Sequence, residues 1–312
     1  MNPLSGPSAS RPRGAAAPKS RSPRRTMLRK SRRNSQSRSR RFRGKYSMNL
    51  KEKTLTEILR GFGKVAVALS GGLDSGALLH FAASALGAEN CAALTADTPQ
   101  MPRAEMGDSE RLCAAAGVAR RAVKSAEIPE AIRENPPDRC YLCKRGIFSE
   151  FARICREESL GTLCDGTNAD DLSDFRPGMR ALRELGVRSP LLEAGWGKAD
   201  ILEYARENMP RFAPSPSNAC LMTRFESGAR VSESALRAVD AAEEFVRSLG
   251  FSRVRVRVHG KRARVELGAE ELGRFFARAG ELAPAVAERL KSLGFESVSV
   301  DLNGYSMGNM NR

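Results

Sequence analysis

The sequence predicts an α/β fold: a parallel sheet with helices on both faces, followed by a smaller C-terminal α+β domain. From residue 65 to residue 207, strand and helix patterns alternate, and the strand segments are continuous apolar runs. Such runs are typical of parallel strands that are buried on both faces. Beyond Gly228 a long helical pattern and two strands of alternating polarity replace this rhythm, which indicates a second unit.

The elements follow in order along the chain. In the first domain, residues 48–228, we predict strands at 65–69, 91–95, 121–124 and 162–165, and helices at 75–86, 104–116, 141–159 and 198–207. In the second domain, residues 229–312, a helix at 232–249 precedes two strands around a turn at His259-Gly260. Further helical patterns and a last strand at 297–301 complete the order αββααβ.

Basic residues concentrate at the N-terminus. Of the 52 Lys and Arg side chains, 15 lie in residues 1–45, which contain no Asp or Glu. The rest of the chain is nearly neutral, with 37 basic against 36 acidic side chains. A segment this rich in Arg, Ser and Pro buries little apolar surface, so we expect residues 1–47 to be a disordered leader. RNA binding, a targeting role and a leader dispensable to a domain that starts at Met48 are the open interpretations.

The first predicted strand ends in the hexapeptide SGGLDS, residues 70–75. Gly71 and Gly72 permit close approach of the backbone to a ligand, and the start of the following helix favours an anion. Ser70 and Ser75 add hydroxyl donors. A Walker-type loop contains a lysine for the terminal phosphates, whereas this loop contains Asp74, a carboxylate suited to Mg²⁺. The loop therefore predicts release of pyrophosphate rather than transfer of a γ-phosphoryl group.

A second polar segment follows the strand at 162–165. Because it also leaves the carboxyl end of a parallel strand, we expect it to face the same crevice as the hexapeptide. Its acids could hold Mg²⁺ or shape a nucleotide pocket, and a solvated turn is the alternative. The residues concerned are Gly166, Thr167, Asn168, Asp170, Asp171 and Asp174.

The chain contains seven cysteines. This odd number, without a secretory signal, favours a reducing compartment and no disulfide framework. No run of 18 apolar residues is present, so the sequence predicts no membrane span and a cytoplasmic location. Four cysteines fall in predicted strands and helices and are expected in the core: Cys91, Cys113, Cys155 and Cys164.

The other three cysteines are candidates for chemistry. Cys140 and Cys143 form a CxxC at the start of a helix, flanked by basic residues that favour the thiolate. Cys220 lies in a polar Pro/Ser/Asn segment, four residues before Arg224. A zinc site needs four ligands, and the chain has only two histidines. A redox dithiol leaves Cys220 unexplained. Three thiolates on an iron–sulfur cluster leave one iron open for sulfide, which favours the cluster on ligand count.

A row of arginines lies in the C-terminal domain. Arg253, Arg255 and Arg257 share one face of a predicted strand. Guanidinium groups bind phosphate in a planar, bidentate manner, and a solvent-exposed strand face is the alternative interpretation. Glu243, on the preceding helix, is a weaker candidate for the same site.

The hexapeptide SGGLDS resembles the signature of the ATP-pyrophosphatase (PP-loop) superfamily, which has an adenine nucleotide alpha hydrolase-like fold and cleaves ATP between the α and β phosphates. From about Leu55 to the C-terminus, the chain resembles one of its families, LarE. That family contains the ATP-dependent sulfur transferases that build the nickel-pincer nucleotide cofactor of lactate racemase. The segments that carry the resemblance are NPPDRCYLCKRGIF from Asn135, DGTNADDLSDFRPGMRALRELGVRSPLLEAGWGKADI from Asp165, PSNACLMTR from Pro216, VRVRVHGKRARVEL from Val254 and VDLNGYSMGNMN from Val300.

This resemblance implies a reaction and a set of sites. A carboxylate of pyridinium-3,5-biscarboxylic acid mononucleotide would be adenylated and then converted to a thiocarboxylate, by a protein that forms a homo-oligomer. Mg²⁺ would lie at Asp74 and Asp171. We assign the substrate phosphate to Arg224, Arg255, Arg257 and Glu243. We assign ATP to Ser70, Gly71, Gly72, Asp74, Ser75, Thr95, Gly166, Thr167 and Asn168.

The resemblance also indicates two possible sources of the sulfur that is transferred. Family members that carry only the cysteine matching Cys220 give up its sulfur and retain dehydroalanine. Members with all three cysteines resemble cluster-dependent donors that turn over many times. For this chain it implies a [4Fe–4S] cluster on Cys140, Cys143 and Cys220, with sacrifice of Cys220 as the alternative. The donor that resupplies the sulfur is not indicated.

Two functions from other classes stay open. A tRNA thiolation enzyme of the same superfamily would need a basic face, which the nearly neutral body does not offer, although the leader could compensate. A non-enzymatic iron–sulfur or RNA-binding adaptor could retain the fold alone. The intact hexapeptide and the downstream acids argue against that interpretation.

Overall fold

The computed structural model describes residues 49–173, 178–210, 212 and 219–306. The predicted leader, Asp174 and parts of the segments from Pro216 and Val300 lie outside these described residues. Within the described ranges, no helix has the length and apolar character needed to cross a membrane.

The larger sheet has four parallel strands, as predicted. Its spatial order is β3-β2-β1-β4, so the chain builds outward from β1 and then returns to the other side of β1. This reversal places the topological switch point, where ligands bind in such sheets, between the carboxyl ends of β1 and β4. The strands are β1 (Val65–Ala68), β2 (Cys91–Asp97), β3 (Ala119–Lys124) and β4 (Thr162–Cys164).

Helices cover both faces of this sheet, which confirms the predicted layering. Side chains alternate along β1: Val65 and Val67 pack into one apolar cluster with Leu55, whereas Ala66 packs into another with Phe148. The helices are α1 (Leu50–Phe62), α2 (Leu73–Leu86), α3 (Arg103–Ala116), α4 (Glu130–Arg133), α5 (Arg139–Glu157), α6 (Gly178–Glu184), α7 (Pro190–Glu193) and α8 (Lys198–Asn208).

Helix α1 was not among the predicted elements. Its start is set by a capping box, in which the Asn49 side chain accepts from the backbone N–H of Glu52 at 2.9 Å. The Glu52 carboxylate accepts in return from the N–H of Asn49 at 3.0 Å. The helix is then held by burial of its apolar face, including Leu55 and Leu59.

The C-terminal elements have the predicted order αββααβ. Strand β6 pairs antiparallel with β5 and parallel with β7. The hairpin turn is Gly260-Lys261, one residue later than predicted, because Gly260 adopts the left-handed backbone conformation, with φ 59°. Apolar residues from before Gly228, such as Ile132 and Leu221, pack in the same core, and the domain boundary at 228 stays a prediction. The elements are α9 (Glu233–Ser248), β5 (Val254–His259), β6 (Arg262–Leu267), α10 (Ala269–Ala277), α11 (Ala279–Ser292) and β7 (Ser297–Val300).

Candidate active site

The hexapeptide at residues 70–75, the phosphate loop, links β1 to α2. The two serines fold it back on itself, because the Ser70 N–H donates to Ser75 Oγ at 3.2 Å and the two hydroxyl oxygens lie 3.1 Å apart. Helix α2 begins at Leu73, directly after Gly72, which has no side chain to cap it. The N–H groups of the first helical turn therefore remain suited to an anionic ligand.

Gly71 is required by both conformation and space. Its φ is 87°, and a Cβ built on it would lie 2.4 Å from the carbonyl oxygen of Glu105 in α3. We therefore expect Gly71→Ala to lower the free energy of unfolding by about 1–3 kcal/mol, measured by urea denaturation. Gly61→Ala is the matched control, since nothing lies within 4 Å of a Cβ there and its φ is not positive. Equal unfolding midpoints for the two variants would contradict the packing of the loop against α3.

The segment after β4 contacts the phosphate loop directly, as predicted. A Cβ on Gly166 would lie 2.7 Å from the backbone nitrogen of Ser75. Two residues later, Asn168 is fully buried, and its amide Nδ2 lies 3.3 Å from Asp74 Oδ2 and 3.1 Å from Asp171 Oδ2. One amide thus brings together the two carboxylates assigned to Mg²⁺. Two carboxylates together with ATP phosphates are an appropriate ligand set for that ion.

A cation that the sequence pattern does not reveal lies at this position. Lys198, the first residue of α8, forms an ion pair with Asp74 through its Nζ. Its backbone N–H donates to Asp170 Oδ2 at 2.7 Å, which ties the start of α8 to the segment after β4. The cation that the phosphate loop lacks is therefore supplied by a segment 124 residues further along the chain.

The remaining predicted nucleotide contacts lie nearby. Thr167 is buried and donates its hydroxyl to Asp165. Thr95 follows Leu94, the residue that pairs with Ala68 at the end of β1, so Thr95 lies level with the start of the phosphate loop. Among the described residues, the buried Thr95 Oγ1 has no hydrogen-bond partner, which leaves a hydroxyl for a ligand.

The cysteines divide as predicted. Cys140 is exposed near the start of α5, Cys143 is half-buried one turn later, and Cys220 is half-buried before a 3₁₀ turn at Leu221–Arg224. Burial raises the pKa of the Cys143 thiol and that of Cys220, the latter to about 12. Free thiols at this site therefore need activation before they can act as nucleophiles. The four cysteines expected in the core are all buried: Cys91, Cys113, Cys155 and Cys164.

A buried glutamine that the sequence pattern does not reveal connects the two cysteine segments. Gln100 is 2 % exposed, and its amide Nε2 donates to Cys143 Sγ at 3.7 Å. Its backbone carbonyl accepts from the N–H of Leu221 at 2.9 Å, immediately after Cys220. Cys140 and Cys143 both raise the pKa of Cys220 further, as neighbouring thiols do. Gln100 thus helps to hold three sulfur atoms in one region.

These thiols match the donor chemistry of an iron–sulfur cluster, since three cysteines and an N–H···S hydrogen bond are typical of such sites. In the part of the chain that the structure describes, however, no group of three or more Cys, His, Asp or Glu side chains is arranged to hold a metal ion. The residues therefore fit the cluster in kind, and the described arrangement is not a closed metal site.

Three arginines surround the buried carboxylate of Glu243, and we call this group the arginine cluster. Arg224 is fully buried and binds Glu243 in a bidentate manner, at 2.8 and 3.0 Å. Arg247 Nη2 lies 2.7 Å from the same carboxylate. Arg255 is 4 % exposed, and burial together with the charge of Arg224 lowers its pKa. Burial alone would raise the pKa of Glu243. The positive charges around it, that of Arg224 above all, outweigh the effect of burial and lower the pKa.

The predicted arginine row divides into three environments. Arg255 lies over the Tyr305 ring, 5.1 Å from its centroid. Arg257 Nε donates to buried Glu266 at 2.9 Å, and its Nη1 donates to the Thr223 carbonyl at 2.8 Å. A solvent-exposed strand face is therefore wrong for Arg255 and Arg257. Arg253, whose side chain is 58% exposed, lies directly before β5.

The arginine cluster adjoins the cysteine site. The Nη1 group of Arg224 donates to the carbonyls of Ala219 and Cys220, at 2.7 and 3.3 Å. A ligand anchored by its phosphate at the arginines would therefore lie close to the segment that carries Cys220.

No protein-family model matches the chain. It is 32% identical over 262 residues to the pyridinium-3,5-bisthiocarboxylic acid mononucleotide synthase of Lactiplantibacillus plantarum, covering 84% of this chain and 94% of that protein. An uncharacterized protein of Synechocystis sp. is 32% identical, over 84% of this chain and 98% of its own length. An uncharacterized protein of Methanocaldococcus jannaschii is 31% identical, over 84% and 96%.

Proposed function

Because the chain belongs to the LarE family of pyridinium-3,5-bisthiocarboxylic acid mononucleotide synthases, we propose that it is an ATP-dependent sulfur transferase. Its substrate is pyridinium-3,5-biscarboxylic acid mononucleotide, a carboxylate of which it converts to a thiocarboxylate. The similarity to the Lactiplantibacillus plantarum enzyme, over 94% of that enzyme's length, supports the substrate. The geometry of the described residues supports three parts of the site: the phosphate loop, the arginine cluster and the three cysteines.

One observation carries the proposal: two sites suited to anions are connected by a single helical turn. The first turn of α3 packs its Glu105 carbonyl against Gly71 of the phosphate loop. In the same turn, the N–H of Arg103 donates to Asp240 Oδ2 at 3.0 Å, and Asp240 lies on α9, the helix that carries Glu243 of the arginine cluster. A protein that joins ATP to a phosphorylated second substrate needs two anion sites at such close range.

The phosphate loop binds the phosphates of ATP through the N–H groups of the first turn of α2. Asp74 and Asp171 would hold Mg²⁺, which would neutralise charge on the phosphates. A carboxylate oxygen of the substrate then attacks the α-phosphorus of ATP. The bond to the β-phosphate oxygen breaks, pyrophosphate leaves, and an acyl adenylate remains. Lys198, already paired with Asp74, is placed to stabilise the negative charge on pyrophosphate.

The arginine cluster binds the phosphate group of the mononucleotide. Three guanidinium groups, those of Arg224, Arg247 and Arg255, act electrostatically on Glu243 and concentrate positive charge at this buried position. A phosphate dianion is attracted to such a cluster and accepts the planar hydrogen bonds of arginine.

Sulfur enters in the second step. A sulfur nucleophile at the site of Cys140, Cys143 and Cys220 attacks the acyl carbon of the adenylate. The carbon–oxygen bond to AMP breaks, the electron pair leaves with AMP, and the thiocarboxylate forms. A cluster held by these three cysteines would supply an iron with an open position for sulfide. The chain's own contribution is to keep Cys220 beside the arginine cluster through Arg224.

The direct test is the dependence of pyrophosphate release on the mononucleotide. Purified protein with MgATP should form AMP and pyrophosphate in equal amounts only when pyridinium-3,5-biscarboxylic acid mononucleotide is added. Nicotinamide mononucleotide, which lacks the carboxylates, is the control and should give no release. ADP as the product, or release that is the same with both compounds, would exclude adenylation of the substrate carboxylate.

Arg255→Ala should weaken binding of the mononucleotide by about 1.5–3 kcal/mol, the loss expected for a hydrogen bond to a charged group. ATP affinity should stay nearly unchanged, and titration calorimetry measures both. Arg253→Ala is the matched control, because this exposed arginine lies directly before β5, outside the buried part of the row. If ATP binding falls instead, Arg255 belongs to the nucleotide site.

Arg257→Ala should also weaken binding of the mononucleotide by about 1.5–3 kcal/mol. In addition, it should lower the free energy of unfolding. The added effect arises because Arg257 binds the buried Glu266 and the Thr223 carbonyl. Urea denaturation beside the binding titration separates the two effects. A fully stable Arg257→Ala protein would show that these internal contacts contribute little.

A further inference from the structure

Asn135 is a buried residue with an uncommon backbone conformation. It follows the short helix α4 and is fully buried, and its φ is 47°, in the left-handed region. A residue with a Cβ keeps that conformation only where its surroundings fix it, and such positions are concentrated at functional sites. Pro136 and Pro137 follow, and α5 begins two residues later, so that Cys140 lies in its first turn. Because proline restricts the backbone, this connector from Asn135 to the CxxC is stiff.

The side chain of Asn135 binds the segment that follows Cys220. Its amide Nδ2 donates to three backbone carbonyls of that segment, those of Met222, Phe225 and Glu226, at 3.3, 3.1 and 2.8 Å. These three acceptors fix the orientation of the amide, because they would repel its oxygen atom. One side chain thereby joins the connector before the CxxC to the segment after Cys220.

The segment after Cys220 is closed into a turn that transmits this contact. The Cys220 carbonyl accepts from the N–H of Thr223 at 3.0 Å, and the Met222 carbonyl accepts from the N–H of Phe225 at 3.2 Å. The hydroxyl of Thr223 donates a further hydrogen bond to the Cys220 carbonyl at 2.8 Å. Successive hydrogen bonds of this kind define a 3₁₀ turn, so a contact at Met222 also constrains Cys220.

The amide oxygen of Asn135 is buried and has no hydrogen-bond partner among the described residues. An unpaired buried acceptor costs free energy, and so does a left-handed backbone at a residue other than glycine. A polar residue that serves stability alone is expected to pair both ends of its amide. Both costs are accounted for if the residue is retained for the geometry that it imposes on the two cysteine segments.

We propose that Asn135 is a positioning residue, which holds Cys220 at a fixed separation from Cys140 and Cys143 for the transfer of sulfur. Its side chain fixes the turn after Cys220, and its left-handed backbone fixes the start of the connector to the CxxC. The inference rests on the proposed function for the role of the three cysteines, and it assigns a residue that brings them together. Asn135 itself takes no part in making or breaking a bond.

The separation of two thiols is measured as an effective concentration, from the equilibrium of their disulfide with oxidised and reduced glutathione. In the full chain without metal, Cys140→Ala leaves the pair Cys143 and Cys220, which joins the two segments. Cys220→Ala leaves the CxxC pair within α5. Asn135→Gly permits the left-handed backbone and removes the amide. It should lower the effective concentration of the first pair by about tenfold, as expected for the loss of two hydrogen bonds, and leave the CxxC pair unchanged.

Ser159→Gly is the matched control. Among the described residues, Ser159 is the other one besides glycine with a positive φ, 53°, and it lies just beyond the C-terminal end of α5. This variant should leave both effective concentrations unchanged. Asn135→Ser, which keeps one hydrogen-bond donor, should lose less than Asn135→Gly. A general loss of folded structure would alter both pairs, so the difference between the pairs reports on position.

An unchanged effective concentration of the Cys143–Cys220 pair in Asn135→Gly would overturn the inference. Equal changes in both pairs, in Asn135→Gly and in Asn135→Ser, would overturn it as well. No substrate enters this measurement, so it decides on Asn135 even if the proposed function fails.

A second measurement uses the chain with all its cysteines, MgATP and the mononucleotide. Asn135→Gly should slow thiocarboxylate formation by about tenfold and leave the initial formation of pyrophosphate unchanged, because only the sulfur step depends on the position of the cysteines. Equal slowing of both products would overturn the inference. Absence of thiocarboxylate with the unmodified protein would contradict the proposed function instead, and the glutathione equilibrium would still decide on Asn135.

Discussion

Cys140→Ala, Cys143→Ala and Cys220→Ala should each lose nearly all sulfur transfer and most bound iron. The reason is that the ligands depend on one another: removing one thiolate from a three-thiolate site removes charge and geometry together. Anaerobic purification, followed by iron and sulfide assays and by measurement of thiocarboxylate formation, tests this expectation. Cys113→Ala, at a buried cysteine in the apolar core, is the control and should keep both iron and activity.

A sacrificial mechanism makes the opposite prediction for two of these variants. If Cys220 gives up its own sulfur, Cys140→Ala and Cys143→Ala stay active. The spent protein then lacks the elements of one H₂S at residue 220, because the cysteine has become dehydroalanine. Intact-mass measurement after turnover distinguishes the two mechanisms, and dehydroalanine at residue 220 in active protein would overturn the cluster.

Asp74→Asn should reduce pyrophosphate release by at least about a hundredfold, because loss of charge stabilisation by a metal ion costs several kcal/mol. The fold should persist, since the amide replaces a side chain that is partly exposed and makes no core contact. Release is measured with MgATP and the mononucleotide, and thermal unfolding is measured alongside. The control is Asp97→Asn, because Asp97 also follows an apolar run and forms an ion pair, with Arg103, outside the phosphate loop.

Normal pyrophosphate release by Asp74→Asn would exclude this carboxylate as a metal ligand. Lys198→Met gives a second comparison, since it removes the partner of Asp74 and leaves the carboxylate in place. If Lys198 mainly stabilises leaving pyrophosphate, its loss should slow release without changing the requirement for Mg²⁺.

The fold was predictable because β1, β2 and β4 are largely apolar runs, the C-terminal hairpin alternates in polarity, and glycine-rich or polar residues separate these strands from the helices. The four strands of the parallel sheet and the order αββααβ follow from this pattern. Helix α1 could not be recognised in the same way, since its capping box is local and its apolar face packs against distant helices. The hairpin turn was misplaced by one residue, because alternation of polarity does not fix which glycine takes the left-handed conformation.

The site was predictable where its residues are contiguous in sequence. The phosphate loop and the segment after β4 follow strands of one parallel sheet, so their proximity could be inferred. Lys198, Gln100 and Glu105 could not be identified, because their contacts join segments that are far apart in the chain. The alternation of side chains along the predicted strand placed Arg255 and Arg257 on one face. It could not show that this face is buried or that Glu266 binds Arg257.

In the proposed reaction, a carboxylate of the mononucleotide attacks the α-phosphorus of ATP and is then converted to a thiocarboxylate. The most direct measurement uses mononucleotide whose carboxylate oxygens are a heavy isotope, with mass spectrometry of every product. One labelled oxygen should appear in AMP, and the mononucleotide should gain the mass of an exchange of oxygen for sulfur. Label in pyrophosphate or inorganic phosphate, or AMP that contains no label, would contradict adenylation of the substrate.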